Sequence, residues 1–236
     1  MMTGTNTKLT AAVETYFADL GRVHASGGAT GERSSYGPLA SLLNAVGATL
    51  KPKVFCVGEL ADQGAGHPDF GIYAAKQVQR GQPREGQVPE RGVVEVKPMG
   101  DNAWLTAASD QVSRYWGRYR LVLVTNLRDF VLVGEDPAGR PSQLETLRLV
   151  DEADDFKRRL KTPRNFAREV GAGLGEYLAR ALSHRAVIVE PKDLAWLLAS
   201  YARDGLARVE AAGDAQQLLV YCPVNNFYNC GRVQFG

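Results

Sequence analysis

The sequence predicts an α/β fold, a sheet covered by helices on at least one face, and three observations predict it. Short apolar runs stand between turn-rich separators, at Lys53 to Leu60, Phe70 to Ala75 and Gly92 to Lys97. Helical spacing flanks them, with Tyr36, Leu39, Leu42, Leu43 and Val46 before and Trp104, Ala108, Val112 and Tyr115 after. Two continuous apolar runs follow, Leu121 to Val124 and Phe130 to Val133, as strands buried on both sides show. The order is helix, three strands, helix, strand, strand, which gives an α/β sandwich.

Each element has local support. In the first helix Pro38 is tolerated only in the opening turn, so regular helix starts at Tyr36 or Gly37, and Gly47 ends it. Glu32, seven residues before Leu39, falls on the same inward face just ahead of that start. The separator from Lys76 to Arg91, with Gly81, Pro83, Gly86 and Pro89, reads as a long mobile hairpin loop. Beyond the turn at Pro137 to Pro141, Leu144 to Val150 reads as one more short strand, and the remainder is helical. Phe166, Val170, Leu174, Tyr177 and Leu178 mark one helix, whose glycines 171, 173 and 175 weaken it unless they allow close packing. Pro191 opens another, with Leu194, Leu197, Leu198 and Tyr201.

Composition bounds the function classes. The chain has 236 residues, 44% of them hydrophobic, and a net charge of +2, which permits a nucleic-acid partner without arguing for one. No apolar run approaches the length of a membrane span and no secretory signal is evident, so a cytoplasmic protein without a membrane partner is expected. Three cysteines cannot all pair internally, and Cys56 reads as a buried thiol. Leu9, Val13, Phe17 and Leu20 mark a helix near the start, followed by a glycine-rich joint. The expected division is residues 1–31 as helix and joint, 32–150 as the main domain, and 151–236 as a helical extension. The atypical stretch from Tyr221 to Cys230 closes that extension.

The residues that carry chemistry lie at strand ends. Pro68-Asp69-Phe70 opens one strand and Glu95-Val96-Lys97 closes the next, which would set two carboxylates and an ammonium at one rim. Phosphodiester hydrolysis needs charge neutralised on the scissile phosphate and water made nucleophilic, and a hard divalent cation held by carboxylates supplies both. Mg²⁺ takes only one or two protein carboxylates, so Asp69 and Glu95 suffice, with the Val96 carbonyl as a third ligand and Mn²⁺ expected to substitute. Lys97, two residues from Glu95, shares its sheet face and can orient water or stabilise transition-state charge. Taken alone, a Glu-x-Lys in a strand is usually a solvated polar face. Adjacent Val93 and Val94 and the closing Pro98 argue otherwise. The three histidines lie far apart and suggest no zinc site.

Pro68-Asp69, Glu95-Val96-Lys97 and the helix Asp110-Gln111-Val112-Ser113-Arg114-Tyr115 resemble the PD-(D/E)xK nuclease superfamily over residues 32 to 134. Gln111 and Tyr115 match the Q-x-x-x-Y helix motif of its exonuclease-like branch. The set Glu32 to Tyr36, His67 to Phe70, Gln111 with Tyr115, Val124-Thr125-Asn126 and Pro191 to Ala195 is similar to the nuclease region and connector of single-chain restriction-modification enzymes. The resemblance implies a restriction-endonuclease-like αβββαβ core with a central mixed sheet, followed by a C-terminal helical extension. It further implies Mg²⁺-dependent DNA cleavage, with Asp69 and Glu95 as metal ligands, Lys97 as base or water-orienting group, Glu32 as a supporting acid and Gln111 beside the metal water or the DNA backbone. An exonuclease or repair nuclease, and a non-catalytic DNA-binding or assembly module, remain alternatives. No N-P-P-Y or F-x-G-x-G string of a methyltransferase occurs, so a methyltransferase or translocase partner, and a homodimer, stay open.

DNA contact is expected to be mainly electrostatic. From Lys76 to Arg120 eight basic residues face five acidic ones, a modest excess that places the expected contacts on Arg80, Arg84 and Arg91 of the loop and on Arg114.

Overall fold

The computed structural model describes residues 2–25, 32–184 and 191–212. Its centre is a mixed six-stranded sheet in the order β1-β2-β5-β6-β7-β8, with strands β1 (Val54–Gly58), β2 (Phe70–Ala74), β5 (Gly92–Val96), β6 (Val122–Thr125), β7 (Asp129–Glu135) and β8 (Pro141–Arg148). All neighbours are antiparallel except β5 and β6. A parallel pair needs a crossover, and the helices α3 (Ala103–Ala107) and α4 (Asp110–Tyr119) supply it.

The sheet is buried on both faces. Ile72, Val94, Val96, Leu123, Phe130 and Leu132 point into a core shared with α1 (Met2–Ala25), α2 (Tyr36–Gly47) and α6 (Pro163–Ser183). Their neighbours Tyr73, Val93, Val122, Val124, Val131 and Val133 point the other way, onto Val112, Tyr115, Trp116 and Tyr119 of α4. Period-two alternation against two apolar layers explains why the sequence of β5, β6 and β7 is apolar at consecutive positions.

Helix α1 is set apart in sequence by the glycine-rich joint, yet it belongs to this core. Val13, Phe17 and Leu20 are fully buried, and the Phe17 ring stacks on Phe166 at 4.3 Å. Gly175 of α6 makes room for it, since a Cβ there would stand 3.1 Å from Leu9. A Cβ on Gly171 would make ordinary contact with Val13 at 3.6 Å and Gly173 meets nothing within 4 Å, so one of the three serves close packing.

Other boundaries depart from the sequence expectations for local reasons. The single helix expected from Trp104 to Trp116 is two helices. Asn102 Oδ1 accepts from the N–H groups of Trp104 and Leu105 at 2.9 and 3.1 Å, Ser109 Oγ accepts from Val112 N–H at 3.3 Å, and two N-caps so close together start two helices. The Lys76 to Arg91 segment is not a loose loop. It carries a small hairpin of β3 (Val78–Gln79) and β4 (Gln82–Pro83), turned by Arg80 and Gly81, both at positive φ. Buried Gln77 ties its base down, donating to Val88 O at 2.6 Å and accepting from the N–H groups of Ala74 and Glu90. Strand β8 runs from Pro141 to Arg148 rather than from Leu144 to Val150, and α5 (Ala153–Arg159) is the first helix of the segment expected to be helical.

Helix α2 starts at Tyr36 with Pro38 in its first turn, as steric reasoning requires. The Asn44 side chain then clamps α2 to β1, donating to Cys56 O and accepting from Cys56 N–H, both at 2.9 Å. Cys56 is a buried free thiol, while the expectations for Tyr221 to Cys230 fall outside the described residues. Among the described residues no helix is long and apolar enough to cross a membrane. Phe17→Ala is expected to cost about 3–5 kcal/mol of stability by emptying the site between α1 and α6. Urea denaturation checks it, and a loss under about 1 kcal/mol would show that α1 adds little to the core.

Candidate active site

The ends of β2 and β5 place the acidic and basic residues at one rim. The ladder pairs Phe70 with Val94, and one step further along that register Asp69 comes to lie against Glu95. Asp69 N–H donates to Val94 O at 3.1 Å, and its carboxylate then takes over from the ladder, Oδ2 accepting from Val96 N–H at 2.7 Å. Backbone groups alternate along a strand, so the Val96 carbonyl points to the same side as that of Val94, toward Asp69. Tyr36 of α2 donates its hydroxyl to Asp69 Oδ1. Its ring lies 5.2 Å from that of Phe70, which fixes the tyrosine over the strand opening.

Glu95 points to the opposite layer from Val94 and Val96, toward α4, and is only 3% exposed. A buried carboxylate needs partners, and Oε1 accepts from Lys97 Nζ at 2.7 Å and from Gln111 Nε2 at 2.9 Å. Lys97 and Glu95 are two residues apart in extended chain, hence on one face, as their spacing predicts. Gln111 stands on the first turn of α4, and its Nε2 also donates to Tyr115 Oη at 3.0 Å. The i, i+4 spacing of Gln111 and Tyr115 is what lets one glutamine bridge the phenol and the carboxylate. Burial raises the Tyr115 phenol above its usual range, offset in part by the Gln111 hydrogen bond and reinforced by Glu95 and Asp69. Tyr115 is therefore a neutral hydroxyl at physiological pH.

The donor set suits a hard cation. Carboxylate oxygens and a backbone carbonyl are the ligands Mg²⁺ prefers, and Asp69 keeps lone pairs beyond the two engaged by Tyr36 and Val96. Among the described residues no group of three or more His, Cys, Asp or Glu converges. His67 is exposed, with Nδ1 3.4 Å from Leu60 O, and stays a loop histidine.

The remaining expected residues divide. Arg80 and Arg84 are exposed on the β3–β4 hairpin, and Arg114 is exposed on α4. Arg91 is not with them: it is 4% exposed at the entry to β5, where its N–H donates to Ile72 O at 3.0 Å, so it offers no surface to a phosphate. The backbone of Glu32 forms a 3₁₀ turn through Ser35, and its side chain lies outside the described residues. Tyr36 is the residue sequence reasoning missed. It reads as one more apolar position of α2, and nothing in a 3.6-residue period reports a hydroxyl reaching Asp69, 33 positions away.

No family model matches this sequence, and no curated protein matches it. Among solved structures, a chain of a cryo-EM structure of a DrdV–DNA complex is similar at a TM-score of 0.44 and 18% identity, over 66% of this chain and 98% of that chain. A TM-score of that size does not establish a shared fold.

Removing the lysine alone tests how the acid is held. Lys97→Met is expected to cost about 2–3 kcal/mol, below the range for a fully enclosed pair because the Lys97 side chain is 24% exposed. The double variant Glu95→Gln/Lys97→Met should recover more than half of that loss in urea unfolding. Additive losses would mean that the two side chains are not coupled.

Proposed function

We propose that this protein is a Mg²⁺-dependent DNA endonuclease. The observation that carries the reading is the gathering of Asp69, Glu95, Lys97 and Gln111 at one rim, linked through Val96 N–H and Glu95 Oε1. Asp69, Glu95 and the Val96 carbonyl are the residues to hold the metal. When bound, the cation would neutralise charge on the scissile phosphate and lower the pKa of a coordinated water. Lys97, presenting N–H donors beside Glu95, orients the attacking water and offsets charge on the phosphate oxygens. Gln111 keeps the Glu95 carboxylate in one orientation, and Tyr36 does the same for Asp69.

The finer assignment, a nuclease module of a restriction-modification system that works with a methyltransferase or a translocase, rests on the motif resemblance of Pro68-Asp69, Glu95-Val96-Lys97 and Gln111-x-x-x-Tyr115. Exonuclease or repair chemistry is the second reading, favoured by the bond between Gln111 and Tyr115. On either reading the exposed hairpin bearing Arg80 and Arg84, with Arg114 on α4, forms the DNA-facing basic surface, and Mn²⁺ would replace Mg²⁺ on this oxygen-donor set.

Supercoiled and linear DNA incubated with Mg²⁺, with Mn²⁺ and with EDTA separate these readings. Nicking of supercoiled DNA that EDTA abolishes and Lys97→Ala lowers by about 100-fold or more is the expected result. Degradation from ends only would mean an exonuclease, and DNA binding without cleavage in any metal would mean a non-catalytic module. For the basic surface, Arg80→Glu/Arg84→Glu is expected to weaken DNA binding and reduce the salt slope by about 0.9 per lost phosphate contact. An unchanged slope would remove the hairpin from the interface.

A further inference from the structure

Among the described residues, helix α7 (Pro191–Ala212) leaves a row of apolar side chains uncovered. The side facing the body is held mainly by polar bonds, with Trp196 packed against the core beside them. Ser200 is fully buried and accepts from Arg180 at 2.8 Å, and Tyr201 donates to Glu145 Oε1 at 2.9 Å. Arg203 pairs with Glu176 at 2.9 Å, and Arg208 reaches Thr146 O at 3.2 Å. These bonds fix the roll of α7, so it cannot rotate to hide its leucines. The outer side carries Leu194, Leu198, Leu206 and Val209, exposed by 46, 56, 57 and 40%. At about 100° per residue these four, together with Ala195, Ala202 and Gly205, occupy one stripe roughly 120° wide running the length of the helix. A contiguous exposed stripe of this kind marks an interaction surface.

The stripe is self-complementary from Ala195 to Val209, while Leu194 at its end falls level with Glu210 of the other copy. About Ala202 as centre, Leu198 mirrors Leu206 and Ala195 mirrors Val209, each pair equidistant from it in sequence. A twofold interface requires such a pattern, because each position meets its mirror on the other copy. Small Ala202 at the crossing lets two helices approach, while the leucines on either side interlock. Charge agrees: Lys192 and Glu210 are both exposed on one flank of the stripe, at opposite ends of the helix. Antiparallel pairing brings Lys192 of one copy within two residues, about 3 Å of helix rise, of the level of Glu210 on the other.

We propose that α7 is a dimerisation helix, pairing antiparallel with α7 of a second copy of this chain about a twofold axis at Ala202. The interface does not depend on the nuclease reading, since no residue of the rim takes part.

Sedimentation equilibrium of the full chain is expected to show a concentration-dependent dimer. Leu198→Glu/Leu206→Glu should raise its dissociation constant by about 100-fold or more while leaving the circular dichroism spectrum unchanged, because both residues are exposed. In a Cys222→Ser/Cys230→Ser background, Ala202→Cys should form a disulfide-linked dimer under mild oxidation, whereas Ala207→Cys, on another side of the helix, should not. Lys192→Glu should weaken the dimer and Lys192→Glu/Glu210→Lys should restore it. A chain that stays monomeric at every concentration, a dimer indifferent to the Leu198 and Leu206 charges, or cross-linking at 207 instead of 202 would each overturn the proposal.

Discussion

A carboxylate buried to 3% exposure at the end of an all-buried strand is the constraint around which the surroundings of Glu95 are arranged. Taking such a charge out of water is costly, so every neighbouring element must answer it with a donor. Lys97 does so from the strand end and Gln111 from the first turn of α4. That first turn exists because Ser109 interrupts what would otherwise be one helix from Trp104, and the break lets Gln111 reach back to the strand. Asp69 is answered in the same way from the other layer, through Val96 N–H and the Tyr36 hydroxyl. The rim is therefore where the two layers that sandwich the sheet are joined by polar bonds rather than by apolar packing.

Much of this was legible in the sequence because the sheet is covered on both sides. Adjacent valines at 93 and 94 and the runs at 121–124 and 130–133 read as strands that meet apolar partners on each face, and that is where they lie. What escaped was decided by side-chain hydrogen bonds to the backbone. The Asn102 and Ser109 caps split a helix whose apolar spacing runs on unbroken. Gln77 stitches down a segment whose glycines and prolines read as loose. The place of α1 in the core depends on Gly175 of α6 and on the Phe17–Phe166 stack, contacts between elements far apart in the chain.

The same division holds for the site. Asp69, Glu95, Lys97 and Gln111 announced themselves through position relative to strand and helix ends, because alternation and helical spacing are local rules. Tyr36 and Arg91 did not, because both are settled by tertiary surroundings. A tyrosine in an apolar stripe gives no sign of where its hydroxyl points, and an arginine beside a turn gives no sign that the chain will fold over it. Charge counting treated Arg91 like Arg80 and Arg84, and burial is what separates them.

The Asn44 clamp has a meaning beyond holding α2 in place. Strand β1 is an outer strand of the sheet, and an outer strand presents N–H and C=O groups to which a foreign strand can add. By bonding both backbone groups of Cys56, the Asn44 amide imitates the neighbour that β1 lacks. On the opposite border, the Tyr177 hydroxyl donates to Glu145 O and the Arg208 guanidinium to Thr146 O, and because adjacent carbonyls alternate, one of the two faces out of the sheet. Side-chain decoys thus occupy both margins of the sheet, so growth of the sheet from one molecule into the next is discouraged at either side.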